Sequence, residues 1–230
     1  MFDKKIRNIF FIYVIAHGLS LLSFNGIFFD DLWLYSYSQE TMFQTMRLAG
    51  DYFNNRAFLF SLLLRFDPIV IKLLSFILFF ISSVLIRKCI KEYFIINNQS
   101  VDLFTVLYLI LPFSLSKFTL AAIPYLLYLN LFLLGWSLMK HNRLLSLIFF
   151  MISFNLQSLL CLYILPFFSY YIKINKIKLF KLNNFINFSF KNVDLVISPF
   201  LFYLIKQIYF PPTGIMQDYN KDFSITGLIS

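Results

Sequence analysis

The sequence IFFIYVIAHGLSLLSFNGIFF, residues 9–29, is an apolar run long enough to cross a bilayer, and it indicates the class of fold. At 1.5 Å of rise per residue, about 20 helical residues span the ~30 Å of hydrocarbon. The segment before it carries Lys4, Lys5 and Arg7, and no small-residue cleavage site of the A-x-A type follows it. We therefore expect a retained first transmembrane helix with its N-terminus in the cytoplasm.

The composition indicates an integral membrane protein. Of the residues, 60% are apolar and 13% are charged, and the mean hydropathy is +0.75, whereas soluble domains average about 25% charged residues. The net charge of +9 comes from basic residues placed between apolar runs, which is the pattern of a topology signal rather than of a nucleic-acid-binding surface. The predicted fold class is all-α, a polytopic transmembrane helical bundle, with no nucleic acid as partner.

About seven spans are expected. Basic clusters at residues 87–91 and 140–143 mark the cytoplasmic side and fix the direction of the spans between them. The run from Leu144 to Ile172 would place a lysine-rich loop outside if it crossed once. We therefore predict two short helices that meet at the polar break Asn155-Leu156-Gln157, within protein or a cavity. The expected segments are Ile9–Phe29, Ile69–Ile86, Leu103–Ser116, Leu120–Met139, Leu144–Phe154, Ser158–Ile172 and Val193–Ile208.

These segments form one predicted transmembrane domain, residues 1–210, in the plasma (inner) membrane. Residues 211–230 have the Pro, Gly, Asn and Asp content of an outer-face loop or truncated tail. The chain ends without a terminal basic cluster, which favours an N-terminal portion of a longer protein.

The acidic pair Asp30-Asp31 follows the first apolar run directly and stands between Phe29 and Trp33. Adjacent carboxylates at a membrane boundary cost desolvation energy unless cations or hydrogen bonds compensate. One carboxylate could be a general base, the pair could hold a divalent cation through its oxygens, or the pair could cap the following helix. Both acids are therefore candidate catalytic residues and candidate metal ligands.

The loop between Asp30 and Asp67 carries a helical pattern of its own. Its apolar residues fall on one helix face and most of its polar residues on the other. This predicts an amphipathic surface helix, in contact either with lipid or with the outer ends of its neighbours. The apolar face consists of Met42, Phe43, Met46, Ala49, Gly50 and Phe53.

Two cations on the outer side are candidate ligands for a substrate phosphate. Arg56 could bind phosphate with both prongs of its guanidinium, or it could pair with Asp51 or contact lipid headgroups. Lys117, at the outer turn between two spans, is either a phosphate ligand or an interfacial anchor.

A family resemblance follows from this order of features. The segment Phe29-Asp30-Asp31-Leu32-Trp33-Leu34-Tyr35, the amphipathic helix and then Asn55-Arg56-Ala57-Phe58-Leu59 resemble the GT-C glycosyltransferases. The likeness is to the group of protein O-mannosyltransferases and lipid A aminoarabinose transferases, which carry an acidic motif in the first outer loop.

The resemblance implies transfer of a sugar from a polyprenyl-phosphate donor to an acceptor on the outer face of the membrane. Asp30 would be the base toward the acceptor hydroxyl and Asp31 its support or an acceptor contact. Arg56 and Lys117 would stabilise the departing lipid phosphate. The alternatives are a non-catalytic transporter or flippase component for lipid-linked sugars, with polar groups such as His17, Asn130, Asn155 and Gln157 along a path, and a polymerase or ligase of surface polysaccharides.

Overall fold

The computed structural model describes residues 4–23, 29–51, 53, 55–94, 96–111, 119–175 and 182–213. Every regular element in these ranges is a helix, which confirms the all-α prediction. The helices, in chain order, are α1 (Lys4–Ser23), α2 (Phe29–Ser36), α3 (Gln39–Leu48), α4 (Asn55–Leu63), α5 (Pro68–Tyr93), α6 (Asn98–Ile110), α7 (Ala122–Leu138), α8 (Arg143–Ser153), α9 (Gln157–Leu162), α10 (Ile164–Asn175), α11 (Leu182–Lys191) and α12 (Val193–Tyr209).

Two stretches of helix within the described ranges are long and apolar enough to cross a membrane. They are Pro68–Tyr93, which is α5, and Gln157–Ile174, which comprises α9 and most of α10. A third candidate is the pair α11 and α12, which is bent by 74° at its break. This is fewer than the seven spans predicted, and α8 at 11 residues has a length of about 16 Å.

The segment predicted as the long outer loop is largely helical. The first helix, α1, is described from Lys4 to Ser23, and the rest of the predicted first span, residues 24–28, lies outside the described residues. The acidic pair falls in the first turn of α2. Residues 55–59, which carry part of the family resemblance, open the separate helix α4. The long helix α5 then starts at Pro68, where the Asp67 carboxylate accepts a hydrogen bond from the Ile69 amide and so caps the helix.

The segment predicted as an amphipathic surface helix contains α3, whose described apolar contacts are with protein rather than with a surface. The predicted apolar face extended to Phe53, but α3 ends at Leu48, so Ala49, Gly50 and Phe53 are not part of the helix. The Ser38 hydroxyl caps it by accepting a hydrogen bond from the Thr41 amide. Met42 is fully buried and Met46 nearly so, in a core that also contains Leu34, Phe60 and Leu120. Its polar side chains, including Gln44 and Arg47, are exposed. Of the two predicted placements, packing against neighbouring helices is the one that these contacts support.

Basic residues of three helix termini and one turn meet at one end of the bundle, which we call the basic end. Asp102 at the start of α6 pairs with Lys5, Arg87 and Lys91. Here Glu92 at the end of α5 pairs with His141 in the α7–α8 turn, and Arg143 at the start of α8 pairs with Asp194 at the start of α12. The helices α2, α3 and α4 pack against the first residues of α5 and α7, which lie at the opposite end.

The polar break predicted at Asn155-Leu156-Gln157 separates α8 from α9, as expected. From this break α9 and α10 return to the basic end, where the Trp136 indole donates a hydrogen bond to the Ser169 hydroxyl. Aromatic side chains fill the space between α7, α8, α10 and α12. The fully buried Phe150 and Phe154, for example, pack edge-to-face against Tyr163.

The lysine-rich segment expected as a loop contains the helix α11. Its apolar side chains recur every three or four residues, and Phe185 and Phe188 pack against Phe167 and Tyr171 of α10. The high lysine content masked this pattern, because lysines can occupy the outer face of an amphipathic helix as well as a loop.

The chain after α12 folds back onto the end of α3. The Thr213 amide donates to the Leu48 carbonyl at 2.9 Å, and the Phe210 ring lies 4.9 Å from the ring of Phe53. Gly50 lies under this segment with a φ of +71°, and a Cβ atom there would come within 2.8 Å of the Phe210 carbonyl oxygen. We call residues 210–213 the strap. Of the predicted outer tail, residues 214–230 lie outside the described ranges.

Gly50→Ala is expected to destabilise the protein by about 1–3 kcal/mol, because alanine is strained at positive φ and its methyl group would push the strap away. The thermal unfolding midpoint of the detergent-solubilised chain measures this. Gly18→Ala is the matched control, since its Cβ would meet only Val14 at 3.4 Å. Equal effects of the two substitutions would contradict the predicted role of Gly50.

Asp102→Asn is expected to lower the unfolding midpoint at neutral pH. Partial burial raises the pKa of the Asp102 carboxyl, but the hydrogen bond and charge of Arg87, with Lys91 and Lys5, outweigh it and hold the pKa below the ordinary value of 3.8. A carboxyl with a depressed pKa stabilises the fold above its unfolded pKa, and this stability is lost as the pH falls through its folded pKa.

The difference between wild type and Asp102→Asn should therefore be constant above about pH 5 and shrink below about pH 4. Unfolding midpoints measured across that range test this, with Glu40→Gln at an exposed position of α3 as the control. If the difference in unfolding midpoint does not change with pH, the contribution of Asp102 to stability comes from packing rather than from its charge.

Candidate functional site

Asp31 caps a helix that lies about ninety residues further along the chain. Its Oδ2 accepts a hydrogen bond from the Leu120 amide at 2.8 Å, and its Oδ1 accepts one from the Ala121 amide at 2.9 Å. These amides belong to the turn that leads into α7, whose own N-cap residue makes no side-chain cap. A carboxylate at a helix N-terminus is favoured both by the free amides and by the helix dipole. Asp31 thus joins α2 to α7.

This contact separates the roles of the two neighbouring acids. Asp31 is 6% exposed, and both of its oxygens accept backbone hydrogen bonds. The capping role considered from sequence is therefore present, but Asp31 caps α7 rather than the helix that follows it. The backbone of Asp30 lies in the first turn of α2, and its side chain lies outside what the structure describes.

Arg56 pairs with Asp51, one of the alternatives considered for it. The Arg56 Nε donates to Asp51 Oδ1 at 3.0 Å, and the Arg56 and Ala57 amides donate to Oδ2 at 2.8 and 3.2 Å. Asp51 is almost completely buried and caps the first turn of α4. Within the described part of the chain, the two terminal nitrogens of Arg56 make no hydrogen bond, and the side chain keeps about a quarter of its surface exposed.

Three more polar side chains lie around this ion pair. Lys206, near the end of α12, and Tyr128 of α7 are both within electrostatic range of Asp51 and Arg56. The Tyr128 hydroxyl accepts a hydrogen bond from Asn155 Nδ2 at 2.8 Å, in the break between α8 and α9. We call this group the polar cluster: Asp51, Arg56, Tyr128, Asn155 and Lys206.

The polar cluster lies toward the same end of the bundle as Asp31. Tyr128 is eight residues beyond Leu120 on the chain that becomes α7, which corresponds to about 12 Å along a helix axis. The strap connects the end of α12, which carries Lys206, to the end of α3, which precedes Asp51. The polar cluster thus combines four segments that are distant in sequence: the α3–α4 turn with the start of α4, the middle of α7, the α8–α9 break and the end of α12.

Of the remaining predicted site residues, Lys117 lies outside the described residues. No group of three or more metal-ligating side chains occurs within the described ranges. The structure therefore brings Arg56 to the polar cluster and Asp31 to the α7 cap.

Three polar residues that were considered for a transport path each make an interhelical hydrogen bond. The His17 ring pairs with the Leu109 carbonyl at 2.9 Å, Asn130 Nδ2 donates to the Leu78 carbonyl at 3.0 Å, and Asn155 binds Tyr128. Each bond links two segments of the bundle. These residues therefore have a packing role that is independent of transport.

Sequence reasoning overlooked Lys206 as a site residue. The only signal was a lysine inside an otherwise apolar segment, close to the Pro-Pro turn. A charged residue in such a segment is usually functional or paired, and that rule alone would have singled it out.

Asp31→Ala is expected to destabilise the protein by about 2–4 kcal/mol, because two buried amides lose their acceptor. Asp31→Asn should cost less, since its amide oxygen can still accept one of the two hydrogen bonds. Thermal unfolding in detergent measures both, with Glu40→Ala as an exposed control. An Asp31→Ala midpoint equal to that of wild type would show that the cap is dispensable.

Comparisons with known proteins add no assignment to this geometry: no protein-family model, no curated protein and no solved structure matches the chain.

Proposed function

We propose that this chain is a membrane glycosyltransferase of the GT-C type. It would transfer a sugar from a polyprenyl-phosphate donor to an acceptor on the outer face of the plasma membrane. The observation that carries the proposal is the acidic pair at the start of α2, of which Asp31 is fixed to the N-terminus of α7.

The placement of charge along the bundle supports the proposed topology. Basic residues of α1, α5, α8 and the α7–α8 turn are grouped at the basic end, and the positive-inside rule assigns such an end to the cytoplasm. The acidic pair and the polar cluster then face outward, where lipid-linked sugars would be used. About seven membrane segments, with α8 and α9 meeting at a break inside the protein, are part of this proposal.

The proposed chemistry assigns separate tasks to the acid and the cations. Asp30 would accept the proton of the acceptor hydroxyl while the oxygen of that hydroxyl attacks the anomeric carbon of the donor sugar. The bond between that carbon and the phosphate oxygen breaks, and the polyprenyl phosphate departs with the electron pair. Arg56 and Lys117 would stabilise the charge that grows on the departing phosphate.

Asp30→Asn is expected to lower turnover by about 10²–10⁴-fold, the usual contribution of a general base. The measurement is sugar transfer by the membrane-embedded chain with several polyprenyl-phosphate donors, with and without divalent cations. Asp31→Asn, at matched expression, is the control for the α7 cap. It should lose stability and retain more turnover than Asp30→Asn.

Two results would count against this function. Wild-type turnover that Asp30→Asn leaves unchanged would remove Asp30 as the base. No turnover with any donor, in a chain shown to be folded, would instead favour the transporter or flippase interpretation, which movement of a labelled lipid-linked sugar across vesicles then tests.

A further inference from the structure

Lys206 is a buried cation without a matching anion. Its residue surface is 7% exposed, and within the described part of the chain its ammonium group makes no ion pair within 4 Å. Burying an unpaired charge is costly, and buried lysines normally have a partner. Lys206 therefore calls for an anionic or strongly polar ligand.

Asp51, the carboxylate whose charge acts on Lys206, already accepts hydrogen bonds from other groups. Asp51 accepts three hydrogen bonds, from the Arg56 side chain and from the Arg56 and Ala57 amides. Two cations, Arg56 and Lys206, are thus within electrostatic range of a single carboxylate, that of Asp51. The polar cluster carries one positive charge in excess.

Unused hydrogen-bonding atoms occur in the same cluster. The terminal nitrogens of Arg56 are donors without a described acceptor. Asn155 is 3% exposed and its Oδ1 has no hydrogen-bond partner. The cluster therefore offers both donors for an oxyanion and an acceptor for a hydroxyl group.

The cluster also has a route to the outside. The Arg56 side chain is 27% exposed, so a ligand could reach the guanidinium from the end of the bundle that carries α3 and α4. The strap lies beside this opening, since it joins the end of α12 to Leu48 and Gly50. A ligand bound by Arg56 and Lys206 would connect α4 to α12.

We propose that Lys206 and Arg56 form a binding site for a phosphate monoester or diester, with Asp51 as the internal counter-ion that orients Arg56. The phosphate oxygens accept hydrogen bonds from both cations and neutralise the excess charge. As the site for the donor phosphate, this inference rests on the proposed function. As a phosphate site, it can be tested without any sugar transfer.

The test is binding of three probes to the detergent-solubilised chain: inorganic phosphate, farnesyl phosphate and phosphatidic acid. Calorimetry gives the affinity, and the unfolding midpoint gives the stabilisation by ligand. Lys206→Met should weaken binding at least tenfold, whereas Lys206→Arg should stay within about threefold of wild type. Lys191→Met, the same substitution at an exposed lysine of α11, should bind as wild type does.

The unliganded protein supplies a second readout. Replacing a buried, unpaired charge by an apolar side chain of similar length is neutral or stabilising, so Lys206→Met without ligand should unfold at the wild-type temperature or above. A merely structural partner of Asp51 would instead be destabilised by this substitution.

The proposal fails if wild type binds none of the three probes, or if Lys206→Met binds them as tightly as wild type does. Binding of inorganic phosphate indicates that the phosphate alone is recognised, whereas preference for farnesyl phosphate or phosphatidic acid assigns the source to a lipid; each supports the site. Binding without sugar transfer would overturn the proposed function and keep the phosphate site. Sugar transfer that Lys206→Met leaves intact would keep the proposed function and would overturn the assignment of this site to the donor phosphate.

Discussion

Helix ends that are buried must find hydrogen-bond partners for their free amides, and this constraint organises the end of the bundle opposite to the basic residues. Asp31 satisfies it for α7 and Asp51 for α4. Each acid lies outside the helix that it caps. The two carboxylates thereby connect α2 to α7 and the α3–α4 turn to α4. Both are buried because the helix amides that they cap lie inside the bundle.

The same two contacts explain why charged residues are tolerated in so apolar a chain. A buried carboxylate that accepts two or three amide or guanidinium hydrogen bonds recovers much of its lost hydration. At the basic end, the Asp102 carboxylate is compensated by ion pairs with Lys5, Arg87 and Lys91. Lys206 differs from these residues, because its nearest carboxylate is already occupied, and for that reason it carries the inference about phosphate.

The sequence predicted those parts of the fold that depend on local periodicity and on polar interruptions. The helical content, the amphipathic segment around Met42 and Met46 and the break at Asn155 all follow from such patterns. It did not predict that the segment from Asp30 to Asp67 would form three helices, because short apolar stretches between polar residues resemble loops. The contact from Asp31 to Leu120 depends on tertiary structure, which no local pattern encodes. For the site, Arg56 was found from its type and position, whereas its convergence with Lys206 and Asn155 required the packing of α4, α8 and α12.

The strap has a consequence for the order in which this protein is made. Thr213 contacts Leu48 across nearly the whole described chain, so α3 and α4 emerge from the ribosome long before the segment that holds them. At 5–20 residues per second, the delay is on the order of ten seconds. During that time Gly50 lacks the covering that Phe210 to Pro212 later provide. The last helix of the described chain thus completes the assembly of the first ones.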